Sequence, residues 1–170
     1  MDIISLGIGG PDRPPHKDVV NRLCEMANRS DTHGYQPYVG LPSLRSAYAD
    51  WYRRWYGVPL DATKEIQPLI GSKEGILHIT LTFVNPGDAV LVPNPGYPTY
   101  TSVSKLAEAE IITYDLTEDN GWQPDFEALE KMNLEKVKVM WVNYPNMPTG
   151  APASMELFKK IIDIKKKHNI

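Results

Sequence analysis

The feature that most restricts the fold of this chain is an alternation of short apolar runs with helical stripes, punctuated by proline- and glycine-rich turns. Ile66–Ile70, Ala89–Val92, Glu110–Tyr114 and Val137–Val142 read as strands, the last being the most apolar. Between them, Ser72–Phe83 and Thr99–Ala107 read as helices, Asp125 is placed to cap a further helix through Met132, and Ser154–Lys167 reads as a helix after the last strand. Upstream, Ile3–Leu6 reads as extended. His16–Asn28 and Pro42–Tyr56 carry helical stripes, the second stopped by Gly57 as a C-cap. Strands and helices in turn imply an α/β fold, a three-layer sandwich whose mostly parallel sheet is covered on both faces.

Composition narrows the function. The 170 residues are 42% hydrophobic and 23% charged, which is ordinary for a globular domain, and no internal repeat or domain boundary is visible. A net charge of -3 argues against nucleic-acid or anionic-membrane partners. The basic run Lys165-Lys166-Lys167 reads as a solvated helix face. A single cysteine excludes an internal disulfide framework. Cys24 sits at helical spacing among Val19, Val20, Leu23 and Ala27, where a small buried hydrophobe is expected. No apolar run reaches membrane-spanning length, and the N-terminus lacks the pattern of a leader, so the expected location is cytoplasmic.

Parallel sheets bind ligands beyond the carboxyl ends of their strands. Three loops occupy such positions. In Leu69-Ile70-Gly71-Ser72-Lys73-Glu74-Gly75, an expected strand passes through Gly-Ser straight into a helix, whose free N–H groups and dipole suit an anion. Ser72 can add a hydroxyl and Lys73 a positive charge, although a plain serine cap and a surface lysine would look the same. The spacing is not that of a Walker loop, and Gly7-Ile8-Gly9-Gly10 is no dinucleotide fingerprint because Pro11 follows directly. The second loop, Val92 to Tyr100, uses three prolines and Gly96 to fix Tyr97 at a strand end, a placement suited to stacking on a flat ligand. The third, Asn143-Tyr144-Pro145-Asn146-Met147-Pro148-Thr149-Gly150, offers amides and a hydroxyl, residues that turn chemistry alone would also explain.

Taken in order, these motifs resemble the class I/II aminotransferases of fold type I over essentially all 170 residues. The most specific pieces are Gly34-Tyr35-Gln36-Pro37 with Gly40-Leu41-Pro42-Ser43-Leu44-Arg45, then Ile70 to Gly75, Asn85-Pro86-Gly87-Asp88, Pro95-Gly96-Tyr97-Pro98, and Asn143 to Gly150. The resemblance implies a pyridoxal 5′-phosphate cofactor, amino-acid and 2-oxo-acid substrates, and a homodimer with shared active sites. By the same resemblance, Gly71, Ser72 and Lys73 would hold the cofactor phosphate and Tyr97 would stack on its ring. Tyr35 would reach the phosphate of the neighbouring subunit, Gly9 would lie beside the substrate carboxylate, and Pro95 or Pro148, or both, would follow cis bonds. The combination of motifs looks closest to the LL-diaminopimelate, alanine and aspartate branches.

This sequence departs from the family in one place. The family has Asn directly before Pro-Thr-Gly, where its amide donates to the cofactor's phenolic oxygen, whereas Met147 stands there in this chain. A thioether cannot donate, so the contact is lost or passes to Asn146 or Asn143. The resemblance further implies that residues 1–170 form part of a large cofactor-binding domain, with residues 1–30 leading in from the small-domain or arm side. The lysine that carries the cofactor, the acid facing its ring nitrogen and the arginine for the substrate carboxylate would then lie beyond residue 170. Such a segment is not expected to transaminate alone. Two other readings share the scaffold: a lyase or synthase, and an aminotransferase-like sensor domain of a transcription regulator, which loss of the amide at 147 would suit.

Overall fold

The computed structural model describes residues 9–170, so the extended run expected at Ile3–Leu6 lies outside the described residues. The chain divides between Pro68 and Leu69 into two compact units.

In the first unit, α1 spans Lys17–Ala27 and α2 spans Pro42–Tyr56, with a short 3-10 turn at Ser30–Thr32. Pro42 opens α2, where its missing N–H has no helical acceptor to lose. Gly57 closes it in the left-handed region (φ 66°), and the N–H groups of Gly57 and Val58 return to the carbonyls of Arg53 and Tyr52. The stripe of α1 was expected to bury Cys24. It does not: α1 has no buried residue, Cys24 is exposed, and so are Val19, Val20 and Leu23. An amphipathic stripe marks a face that needs a cover without supplying one, and none of the described residues of this unit buries it.

The second unit contains the sheet. Helix α3 (Ser72–Phe83) precedes strand β1 (Ala89–Asn94). Helix α4 (Pro98–Leu106) then leads to β2 (Glu110–Asp115), α5 (Phe126–Glu130) to β3 (Val137–Met140), and α6 (Met155–His168) follows. The strand order is β2-β1-β3 with both pairs parallel. Ala89, Val90 and Leu91 of the central strand are fully buried. Their alternation divides the core in two. Ala89 and Leu91 pack with Tyr114, Leu129, Leu134 and Ile164, whereas Val90 and Val92 pack with Ile76, Tyr100, Val103 and Ala107. The α6 and α5 side therefore lies on one face and the α3 and α4 side on the other, which gives the three layers expected.

Several boundaries differ from the sequence reading. Ile66–Ile70 is not a strand. A strand exists only against a partner, none of the three described strands pairs with this segment, and Pro68 could not donate to a ladder. β1 and β2 run further than expected, to Asn94 and Asp115, whose side chains join (Asn94 Nδ2 to Asp115 Oδ1, 2.7 Å). β3 stops at Met140, and α5 stops at Glu130 rather than Met132. There the Lys131 and Met132 N–H groups close a tight turn onto Ala128 and Leu129, and Leu134 beyond it is buried in the core. Asp125 caps α5 as expected, accepting from Ala128 N at 3.0 Å.

The basic run near the C-terminus is not wholly free in solvent. Lys167 pairs with Glu130, and His168 Nε2 lies 3.3 Å from the same carboxylate. The hydrogen bond from Lys167, supported by His168, holds the Glu130 carboxyl below the usual glutamate value. A lowered folded value means the contribution is complete above the unfolded glutamate range and is lost as pH falls through the lowered value. Glu130→Gln is therefore expected to lower the melting temperature at pH 7, and the difference from the unmodified chain should vanish in strong acid. Thermal scans across pH check this; a gap independent of pH would assign the effect to packing.

Candidate functional site

Because β1 and β3 are adjacent and parallel, the loops that follow them emerge at the same end of the sheet. The third component is the start of α3. Gly71 is its N-cap, with φ 90° and ψ 151°, a backbone state that L side chains rarely adopt. Ser72 is thus the first helical residue rather than the cap. No side chain caps this end, so the first N–H groups of α3 carry no intrahelical or capping acceptor. The nearest acid, Glu74, turns back instead: its Oε2 accepts from Ile70 N at 2.6 Å. Gly75 lets the helix approach the preceding segment, since a Cβ there would meet Leu69 Cδ1 at 2.4 Å.

Lys73, one residue into that helix, holds its Nζ 5.8 Å from the centroid of the Tyr97 ring. The anion-suited helix start and the aromatic ring are therefore on the same side of the unit. Tyr97 is half-buried and N-caps α4, with Pro98 at the first helical position. Its approach is set by the turn Pro93–Gly96, where the Asn94–Pro95 bond is cis and a Cβ on Gly96 would lie 2.4 Å from the Pro93 carbonyl oxygen. Behind Tyr97, Tyr100 meets it edge to face at 5.8 Å. Tyr100 in turn stacks flat on Trp141, at 4.9 Å and 9°.

The third loop is braced from within. Asn146 is buried: its N donates to Ala151 O at 2.8 Å, its carbonyl accepts from Gly150 N at 2.6 Å, and its Oδ1 accepts from the Thr149 hydroxyl at 2.7 Å. Asn143 Oδ1 accepts from Met147 N at 3.0 Å. In both asparagines the oxygen is engaged, which leaves the amide nitrogens as donors; that of Asn146 makes only a 3.5 Å contact, to Asn143 O. The Tyr144–Pro145 and Met147–Pro148 bonds are cis. Both expected cis bonds, before Pro95 and Pro148, are thus present, and the one before Pro145 was not foreseen. Tyr144 ties the loop outward by donating to Trp122 O at 2.9 Å.

Two candidate residues belong to the first unit. Gly9 is exposed, with open space where a side chain would stand, and Tyr35 is fully exposed beside the turn that Gly40 closes onto Pro37. Residues that the sequence reading passed over are Tyr100, Trp141 and Tyr114. Tyr100 lies inside α4, Tyr114 inside β2 and Trp141 just past β3, and what joins them is contact between residues distant in sequence. Among the described residues no helix is long and apolar enough to cross a membrane, and no cluster suited to a metal ion occurs.

The chain is 46% identical to the LL-diaminopimelate aminotransferase of Dehalococcoides mccartyi over 169 residues, covering 99% of this chain and 44% of that protein. It is also 46% identical to the enzyme of that name from Maridesulfovibrio salexigens, again covering 44% of it. Among solved structures, apo-BacF from Bacillus subtilis superposes with a TM-score of 0.95 at 44% identity, covering all of this chain and 43% of that one. The chain thus spans less than half the length of these relatives. The family described as aminotransferase class I and II matches residues 1–170, and this chain belongs to it.

Proposed function

We propose that the chain is the cofactor-holding portion of a pyridoxal-phosphate-dependent aminotransferase that moves an amino group between an amino acid and a 2-oxo acid. The observation that carries the reading is the approach of Lys73, at the uncapped start of α3, to the Tyr97 ring. A phosphate held by the N–H groups of Ser72 and Lys73 and by the Ser72 hydroxyl would meet both the helix dipole and the Lys73 charge. The half-buried Tyr97 ring then offers a face to a flat heterocycle attached to that phosphate. Asn143 and Asn146 supply amide donors for a polar ring substituent, in place of the residue lost at Met147. When bound, the cofactor supplies an electron sink for the α-carbon of the amino acid. The residues of this chain grip, orient and stack; they do not carry out the proton transfer.

Tyr35 and Gly9 complete the proposal. The exposed Tyr35 phenol would serve the phosphate of a partner subunit in a homodimer, and the open space at Gly9 would admit the substrate carboxylate. Turnover is assigned to the parent protein, in the cytoplasm. LL-diaminopimelate is the first amino donor to try, because relatives at 46% identity bear that name.

The test is calorimetric titration with pyridoxine 5′-phosphate, which lacks the aldehyde and so forms no bond with surface lysines. Tyr97→Ala is expected to weaken binding about tenfold. Lys73→Ala should weaken inorganic phosphate and pyridoxine 5′-phosphate alike, by about three- to fivefold, with salt reducing the effect. Equal affinity in the unmodified chain and both variants would overturn the assignment.

A further inference from the structure

Tyr97 stands on a turn, yet its ring is not supported by that turn alone. Its edge-to-face neighbour is Tyr100, one helical turn onward, and Tyr100 is buried. Tyr100 lies flat against Trp141, just past the end of β3. Trp141 is fixed twice through its main chain. Its N donates to Leu91 O of β1 at 3.0 Å, and its carbonyl accepts from the Tyr114 hydroxyl at 2.5 Å. Tyr114 belongs to β2, on the other side of the central strand, and sits in the opposite half of the core. A continuous series of contacts therefore runs from one face of the sheet, through the end of β3, to the aromatic platform on the other face.

Among the described residues the Trp141 indole N–H is buried without a hydrogen-bond partner. An unpaired buried donor is costly, and no polar contact from a described residue fixes the indole where it is. What holds it is the stack on Tyr100, together with packing against the α3 and α4 side of the core. Burial also pushes the Tyr114 phenol well above its usual value, so this donor stays protonated and keeps its bond through the alkaline range.

We propose that Trp141 is a positioning residue for the Tyr97 ring, acting through Tyr100, and that Tyr114 anchors it. The inference rests on the cofactor reading above, because it needs Tyr97 to meet a ligand ring. It makes the tilt of the platform a property of the sheet rather than of the proline-rich turn.

The test compares two ligands by calorimetric titration of the chain. Inorganic phosphate reports on the phosphate-holding residues alone, and pyridoxine 5′-phosphate reports on those residues together with the platform and the Asn143 and Asn146 amides. Trp141→Leu is expected to weaken pyridoxine 5′-phosphate about three- to tenfold while leaving inorganic phosphate unchanged. Trp141→Phe, which keeps a stacking ring, should restore affinity to within about twofold. Tyr114→Phe, which removes one hydroxyl, should shift the ratio of the two affinities in the same direction by about two- to threefold, and it carries the test if Trp141→Leu does not fold. Equal loss of both ligands in Trp141→Leu, or an unmoved ratio in Tyr114→Phe, would overturn the proposal. The two failures are distinguishable. If the unmodified chain gains nothing from the ring over phosphate alone, the stacking reading fails and takes this one with it. If the gain exists and depends on Tyr97 but ignores Trp141 and Tyr114, only the positioning role fails.

Discussion

Replacing Gly96 with alanine is expected to destabilise the second unit by about 1–3 kcal/mol and to remove most of the affinity for a ring-bearing ligand. The added Cβ would lie 2.4 Å from the Pro93 carbonyl oxygen and 2.8 Å from Pro93 Cγ. Both atoms belong to a rigid segment, the oxygen to the main chain, so no side-chain rotation relieves the contact. The turn has to open, and Tyr97, the next residue, moves with it. Binding of pyridoxine 5′-phosphate should fall by more than about tenfold, whereas inorganic phosphate, held at the start of α3, should bind as before. Urea midpoints and the two titrations check this together. An unchanged midpoint with unchanged binding would show that the turn absorbs a methyl group and does not set the ring.

The second large effect is expected at Gly71, for a different reason. Nothing lies within 4 Å of where its Cβ would stand, so alanine meets no clash. The cost is conformational: φ 90° with ψ 151° is a state that non-glycine residues enter at about 1–3 kcal/mol. Gly71→Ala should escape by rotating to negative φ, which re-aims the N–H groups at the start of α3. Inorganic phosphate and pyridoxine 5′-phosphate should then both weaken about tenfold or more, the mirror of the selective loss at Gly96. Retained phosphate affinity in Gly71→Ala would mean that the glycine conformation is not what shapes the anion site.

Much of the site was legible before any coordinates because its parts are local. Gly71 before Ser72, and prolines around Gly96 and Tyr97, are backbone instructions that act within a few residues, and they produce the same loops wherever the chain is read. The C-cap at Gly57 followed in the same way, whereas the cis bonds at Pro95 and Pro148 followed from the family resemblance. The alternation of apolar runs and helical stripes was enough for the layered α/β class, since a period of two or of 3.6 commits a segment locally.

Other features depended on partners that no short window contains. Ile66–Ile70 has a strand-like composition, but strand formation is a property of a pair, and no described strand takes it up. The α1 stripe around Cys24 predicted burial that no described residue of its unit provides.

The sequence by itself determined which backbone turns exist and which side chains stand at them, because glycine, proline and apolar period act through steric limits on neighbouring residues. Only the tertiary structure decided that Lys73 and Tyr97 face one another and that Tyr97 leans on a stack reaching through Tyr100 and Trp141 to Tyr114. Those contacts join residues up to 41 positions apart in sequence, and their geometry is fixed by strand order and by the burial that closes the sheet.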